Sequence, residues 1–158
     1  MDEPISAEPR RRIEWKTRAS VFGIPLICVA YGTNDNGRPC VAKGFIAIGQ
    51  FAVGLVAIGQ VGIGFIGFGQ LAVGVLAFGQ VAIGLLAGFG QLAVGTFAGG
   101  QFVIGKYARG QFGWAEYLWS PDRTDMEAVS MFGTIEWLVH QDFHTIWETL
   151  KDAFNLGL

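Results

Sequence analysis

Glycine returns at every fifth residue through the middle of this chain, at Gly44, Gly49, Gly54, Gly59, Gly64, Gly69, Gly74, Gly79 and Gly84. One residue is inserted near Gly88, and the beat resumes at Gly90, Gly95, Gly100, Gly105 and Gly110. Between glycines the unit reads variable, large apolar, small, large apolar. The second position runs Ile46, Phe51, Val56, Val61, Ile66, Leu71, Leu76, Val81, Leu86, Leu92, Phe97, Phe102, Tyr107, Phe112, and the third is Ala or Gly almost throughout. Every second unit begins with glutamine: Gln50, Gln60, Gln70, Gln80, Gln91, Gln101 and Gln111. A five-residue step rotates an α-helix by about 140°. Helical glycines would therefore scatter and form no close-packing stripe. Each would also cost about 1 kcal/mol against Ala, and no polar loop divides the run into spans. A disordered linker is excluded by the large apolar residues, since 51% of the chain is hydrophobic and Pro numbers only 5 against 24 Gly. What remains is a mainly β fold, a β-solenoid in which each unit is one short strand. Gly turns the corner there, where positive φ or close backbone approach is required, and stacked coils satisfy one another's backbone groups.

Four five-residue sides make a coil of about 20 residues, so the array predicts three to four coils at roughly 4.8 Å each. Such a stack is about 17 Å tall and cannot span a hydrocarbon core of about 30 Å. In that register Phe45, Phe65 and Leu85 stack on one side and Leu55, Val75 and Thr96 on the opposite side. These are the expected apolar association faces. Gln50, Gln70 and Gln91 form a ladder on a third side, and Gln60, Gln80 and Gln101 on the fourth. Stacked Gln ladders bond to each other and stabilise β-stacks. The second position is expected at the centre of each side, facing inward. Ile48, Val53, Ile58, Ile63, Phe68, Val73, Phe78 and Ile83 then point outward or sit at corners, and the small third position, Ala82 for example, faces out. A wider coil would instead bury both large positions.

The five-residue beat resembles the pentapeptide-repeat proteins over about 70 residues. That resemblance implies a right-handed quadrilateral β-helix, with Ile46, Phe51 and Val56 as central residues and Gly44, Gly49 and Gly54 two places before. The chain departs from that family in lacking its polar outer positions. The run "GIPLICVAYG…GRPCVAKGFIAIGQ" also resembles uncharacterised bacterial Gly-rich repeat proteins, often taken for membrane proteins. Neither resemblance implies a catalytic activity.

Around the repeat at 44–117 the chain divides into three further zones. Residues 1–19 form a polar basic tail with Arg10, Arg11, Arg12, Lys16 and Arg18, suited to a solvated arm or to acidic headgroups. Residues 20–43 read as a β-hairpin cap, two short strands about the turn Asn34-Asp35-Asn36-Gly37. That hairpin would set Cys40 opposite Tyr31 and Cys28 opposite Lys43, which makes the two thiols poor disulfide partners. Residues 121–158 open with Ser120-Pro121 and the acidic first turn Asp122, Asp125 and Glu127. Apolar residues then fall at helical spacing, so this zone is expected to be an amphipathic helical cap over an open stack end. An interfacial membrane helix is the sharper reading, though seven acidic against two basic groups in 121–158 disfavour anionic lipid.

Chemistry is scarce. Gly62, Gly64 and Gly67 match a dinucleotide-loop spacing without the following helix or acid. Gly100 to Tyr107 approaches a phosphate loop, but Tyr107 stands where Ser or Thr is needed. His140 and His144 share a helical face beside Asp142 and Glu148, yet Gln141 replaces the glutamate of the metalloprotease motif, and solvated histidines are the simpler reading. No metal or cofactor is therefore expected, and no enzyme, since the repeat holds no carboxylate, His or Cys between Gly44 and Gly105. Net charge is −2 and no basic stripe suits nucleic acid. The expected role is a non-catalytic structural or scaffold protein whose apolar solenoid associates with membrane lipid or forms a homo-oligomer. A soluble pentapeptide-type protein-binding module is the alternative. No small-molecule substrate is evident. Ice binding would need flat Thr arrays, and the repeat holds only Thr96. The N-terminal residues lack the apolar run of a signal peptide, so a cytoplasmic location or the cytoplasmic membrane face is expected.

Overall fold

The computed structural model describes residues 13–34, 37–136, 145 and 151. The fold is mainly β. β1 spans Ile13–Lys16, β2 Ser20–Val21, β3 Ile24–Pro25, β4 Ile27–Tyr31 and β5 Val41–Trp119, a run of 79 extended residues. One C-terminal helix, α1, begins at residue 126 and is described as far as 136. The rest of the zone expected to be helical, including His140, Asp142, His144, Glu148 and Gly157, lies largely outside the described residues, as do Arg10, Arg11 and Arg12 of the tail.

The N-terminal end is built differently from the expected hairpin. β1 emerges from the polar zone and pairs antiparallel with β4, Ile13 opposite Tyr31 and Lys16 opposite Cys28. β4 then runs parallel to the start of β5, Ile27 opposite Ile46 and Ala30 opposite Gly49. The tight hairpin of this region is β2–β3, turning at Phe22 and Gly23 with φ of 51° and 77°. Between Gly32 and Cys40 the chain makes a small loop, with Cys40 N donating to Gly32 O at 2.9 Å and a single bridge between Thr33 and Pro39. The reason lies in β4 itself: Cys28 and Ala30 are small and buried, alternating with larger outward residues. This is the alternation of the repeat, so β4 pairs as a further repeat strand. Cys28 thus faces Ala47 rather than Lys43, and both cysteines are free and buried.

Within β5 the neighbours recur at ten residues, not twenty. A Cβ built on Gly54 would run into the carbonyl oxygen of Gly44, on Gly64 into that of Gly54, and on Gly69 into that of Gly59. Past the inserted residue the step is eleven, as between Gly79 and Gly90, and then ten again. Aromatic rings repeat the register: Phe68 stacks on Phe78 at 5.1 Å and Phe97 on Tyr107 at 5.4 Å. The repeat glycines have no positive φ, which among described glycines occurs at Gly23, Gly32 and Gly37. Close approach of backbone to backbone is therefore what demands glycine at Gly69 and its equivalents.

The core is thin, and it is made of the small residues. Ala47, Ala57, Ala77, Ala87, Ala98 and Ala108 form one buried column; Ala42, Ala52, Ala72, Ala82, Ala93 and Val103 form the other. Gly62 and Gly67 take the same positions where a Cβ would meet opposing backbone: one on Gly62 would lie 2.9 Å from Phe68 O and 3.0 Å from Ala57 O. This overturns the expected inward second position. A strand alternates its side chains, so positions two and four share a face and position three takes the other. A ten-residue register leaves room between the walls for methyl groups along most of the repeat, with Val103 the larger exception, and both large positions turn outward.

Candidate functional site

With no reactive cluster to build from, the distinctive surface is the outer face of the repeat. Each wall carries two columns of large apolar side chains. On one wall the columns run through Ile46, Val56, Ile66, Leu76 and Leu86, and through Ile48, Ile58, Phe68, Phe78 and Phe89. On the other they run through Phe51, Val61, Leu71 and Val81, and through Val53, Ile63, Val73 and Ile83. Many are half exposed: Phe51 at 37%, Ile58 at 41%, Ile63 at 46% and Leu86 at 48%. Neighbours within a column shield one another, as in the stacked rings of Phe68, Phe78 and Phe89.

The two narrow edges differ. The ten-residue register puts Phe45, Leu55, Phe65, Val75, Leu85, Thr96 and Lys106 in one column, so the residues expected on opposite faces share one edge. Leu85 is the most exposed of its apolar members at 77%, and the Thr96 hydroxyl donates to Leu85 O at 2.9 Å. The seven repeat glutamines, Gln50, Gln60, Gln70, Gln80, Gln91, Gln101 and Gln111, line the opposite edge as one ladder instead of two. Among the described residues no hydrogen bond joins one Gln side chain to the next. Those amides face outward along a single polar stripe.

Charge returns only at the ends. Past Gly105 come Lys106, whose Nζ lies 5.7 Å from the Tyr107 ring, and Arg109, which stacks over Trp119 at 4.2 Å and pairs with Glu136 of α1. Ala128 and Phe132 of α1 itself are buried. The helix flanks an open groove of 770 Å³ beside Phe89, Gly99, Gly100 and Trp119. Gly99 makes room there: a Cβ would sit 2.7 Å from the Phe89 ring. The described part of α1 thus lies along one wall.

The turn into α1 is anchored by Asp125. Its carboxylate accepts from Leu118 N at 2.8 Å and pairs with Arg123 at 2.8 Å, while Asp125 N donates to Leu118 O at 2.9 Å. The Leu118 N–H bond, helped by Arg123, holds the Asp125 carboxyl below its ordinary value. Next to it, the charge of Glu116 pushes the Tyr117 phenol up.

The glycines of the two nucleotide-like motifs are spent on close approach, Gly62 and Gly67 inside and Gly64, Gly100 and Gly105 against the preceding turn. Among the described residues no cluster of His, Cys, Asp or Glu could hold a metal. No helix of the described residues is long and apolar enough to cross a membrane, which says nothing of strands. Set against known protein families, characterised proteins and solved structures, the chain matches none of them.

Of these columns, the fourth-position residues are expected outward or at corners, and the second-position ones are misplaced by the expectation of a large apolar residue inside. Gln at every second unit was the available signal: its period of ten residues is the period of the neighbours.

Proposed function

We propose that the chain is a non-catalytic structural protein, a flattened β-solenoid of ten-residue turns whose outer faces associate with membrane lipid, and with further copies of itself. The observation that carries this reading is the inversion of the repeat, with methyl groups inside and Ile, Val, Leu and Phe outside on both walls. Soluble monomers rarely expose a contiguous apolar patch beyond a few hundred Å². Burial of such area is worth about 25 cal/mol per Å², and the ordering costs of association take back only part of it. What remains of the pentapeptide-repeat resemblance is the five-residue beat, now read as two sides per turn rather than four. A soluble binding module would require polar outer faces, and from Gly44 to Gly105 only the Gln edge and Thr96 supply polar side chains.

Vesicle flotation paired with detergent-free size exclusion tests the reading. The protein is expected to float with phosphatidylcholine vesicles, and without lipid to run as an oligomer. A detergent-free monomer that stays at the bottom of the gradient at high concentration would overturn it.

A further inference from the structure

Resting on the membrane reading, we infer that the repeat crosses the bilayer, with its stacking axis along the membrane normal and its strands lying in the membrane plane. The ten-residue register decides this. From Gly44 to Gly105 there is no Asp, Glu, Lys, Arg or His. At ten residues a turn, with neighbours such as Gly44, Gly54 and Gly64 in contact, that stretch makes about six turns. At roughly 4.8 Å each they stand about 29 Å tall. The hydrocarbon core of a bilayer is about 30 Å thick. A twenty-residue coil would give half that height and could only lie on the surface.

The ends of the band carry what a membrane interface favours. Trp and Tyr are wholly absent from 44–105. They stand just outside it: Trp15 and Tyr31 at one end, half exposed, and Tyr107, Trp114, Tyr117 and Trp119 at the other, with Trp114 at 81% exposure. Amphipathic rings gather at headgroup level in this way on both sides of spanning segments. Lys43 and Lys106 bracket the charge-free stretch, and their long stems reach water from a headgroup position.

The usual bar to irregular spanning structures is the unpaired backbone, since each orphaned N–H or C=O in lipid costs several kcal/mol. Stacked turns avoid it. Every middle turn bonds to the one above and the one below, and the two open rims lie at the band's ends. At one rim β1 and β4 cover the first turn; at the other the Asp125 carboxylate takes up the Leu118 N–H.

The test is polarised infrared spectroscopy of the full chain in oriented bilayers of an eighteen-carbon phosphatidylcholine, run alongside flotation with the same lipid. The inter-turn C=O groups lie along the stacking axis, so amide I absorption is expected to be strongest for light polarised along the normal. Protein that floats but shows its amide I dipole in the membrane plane lies flat, which overturns the spanning inference and leaves membrane association intact. Protein that does not float overturns both.

Discussion

The inside and the outside of the repeat obey opposite rules. Inside, two buried columns are made almost wholly of Ala and Gly, with Val103 the larger side chain near one end, and backbone approaches closely. Outside, four columns hold Ile, Val, Leu and Phe in loose register, with stacks such as Phe102 on Phe112 at 5.7 Å. In an ordinary water-soluble domain the large residues would fill the core and the small ones would sit where convenient. Here steric fit specifies the interior, and the large apolar side chains lie outside; in the proposed reading their burial is left to association. Stability and association should therefore be separable by mutation.

The largest effect should come from charging the outside. Phe65→Lys with Val75→Lys puts two cations side by side on the apolar edge near mid-band. In lipid-facing strands a Lys near the bilayer midplane costs about 2–4 kcal/mol. The double variant should lose flotation by two orders of magnitude or more while its far-UV strand signal persists. Loss of both signals together would mean that this edge is part of the fold and not a free surface.

On the inside, Gly69→Val is expected to cost more than about 3 kcal/mol, because its Cβ would strike the Gly59 carbonyl, a backbone atom with nowhere to go. The backbone angle at Gly69 is ordinary, so Gly69→Ala should fail for the same steric reason. Free tolerance of Ala, read by thermal melting in detergent, would show that turns slide apart easily. Ala77→Leu tests the methyl-sized gap between walls and should cost about 1–3 kcal/mol by overpacking. Its outward neighbour Leu76→Ala should change melting much less. Equal costs at 76 and 77 would erase the distinction between the two sides.

The Gln edge offers a finer contrast with the apolar edge. Amide hydrogen bonds between membrane-embedded partners average about 0.6 kcal/mol. If copies meet along this stripe, Gln70→Leu with Gln80→Leu should weaken the oligomer several-fold in detergent and leave vesicle flotation unchanged. Cross-linking across a protein dilution series would read the change, and an unaltered oligomer would place the contact elsewhere.

Much of this was legible in the residues. The five-residue beat excluded helices and disorder, and it marked Gly69 and its equivalents as places where backbone must come close. Ser120, Pro121 and the acids after them marked a helix in this zone but set its start at about 121, five residues before α1 begins at residue 126. The side each column faces was harder, because position parity fixes only that two and four go together. Assigning Ile46 inward and Ile48 outward broke that parity, whereas Ala47 inward keeps it. The neighbour spacing followed the same error: reading Gln as two ladders implies neighbours twenty residues apart, whereas the backbone contacts recur at ten; in the proposed solenoid that halves the coil and doubles the stack. The parallel pairing of β4 with β5 was not visible from the turn residues at 34–37, which signal only the antiparallel contact seen at the Thr33–Pro39 bridge.

The smallest predicted effect lies at the charged end, where the uncharged band gives way to the turn before α1. Leu118 N–H is a backbone donor at the rim of the stack, and the Asp125 carboxylate accepts from it while Arg123 neutralises the charge. These contacts favour the ionised acid, so the folded-state pKa of Asp125 lies below its ordinary value. A carboxylate of this kind contributes stability that is fully present above its unfolded-state pKa, about 4, and is lost as pH falls through the lower folded value. Asp125→Asn keeps an oxygen acceptor but removes the charge. The variant should melt slightly below the parent at pH 7, and the gap should close as both are acidified below about pH 4. A gap that stays constant across that range would assign the role of Asp125 to shape alone, and would leave the charged end as indifferent to pH as the band it closes.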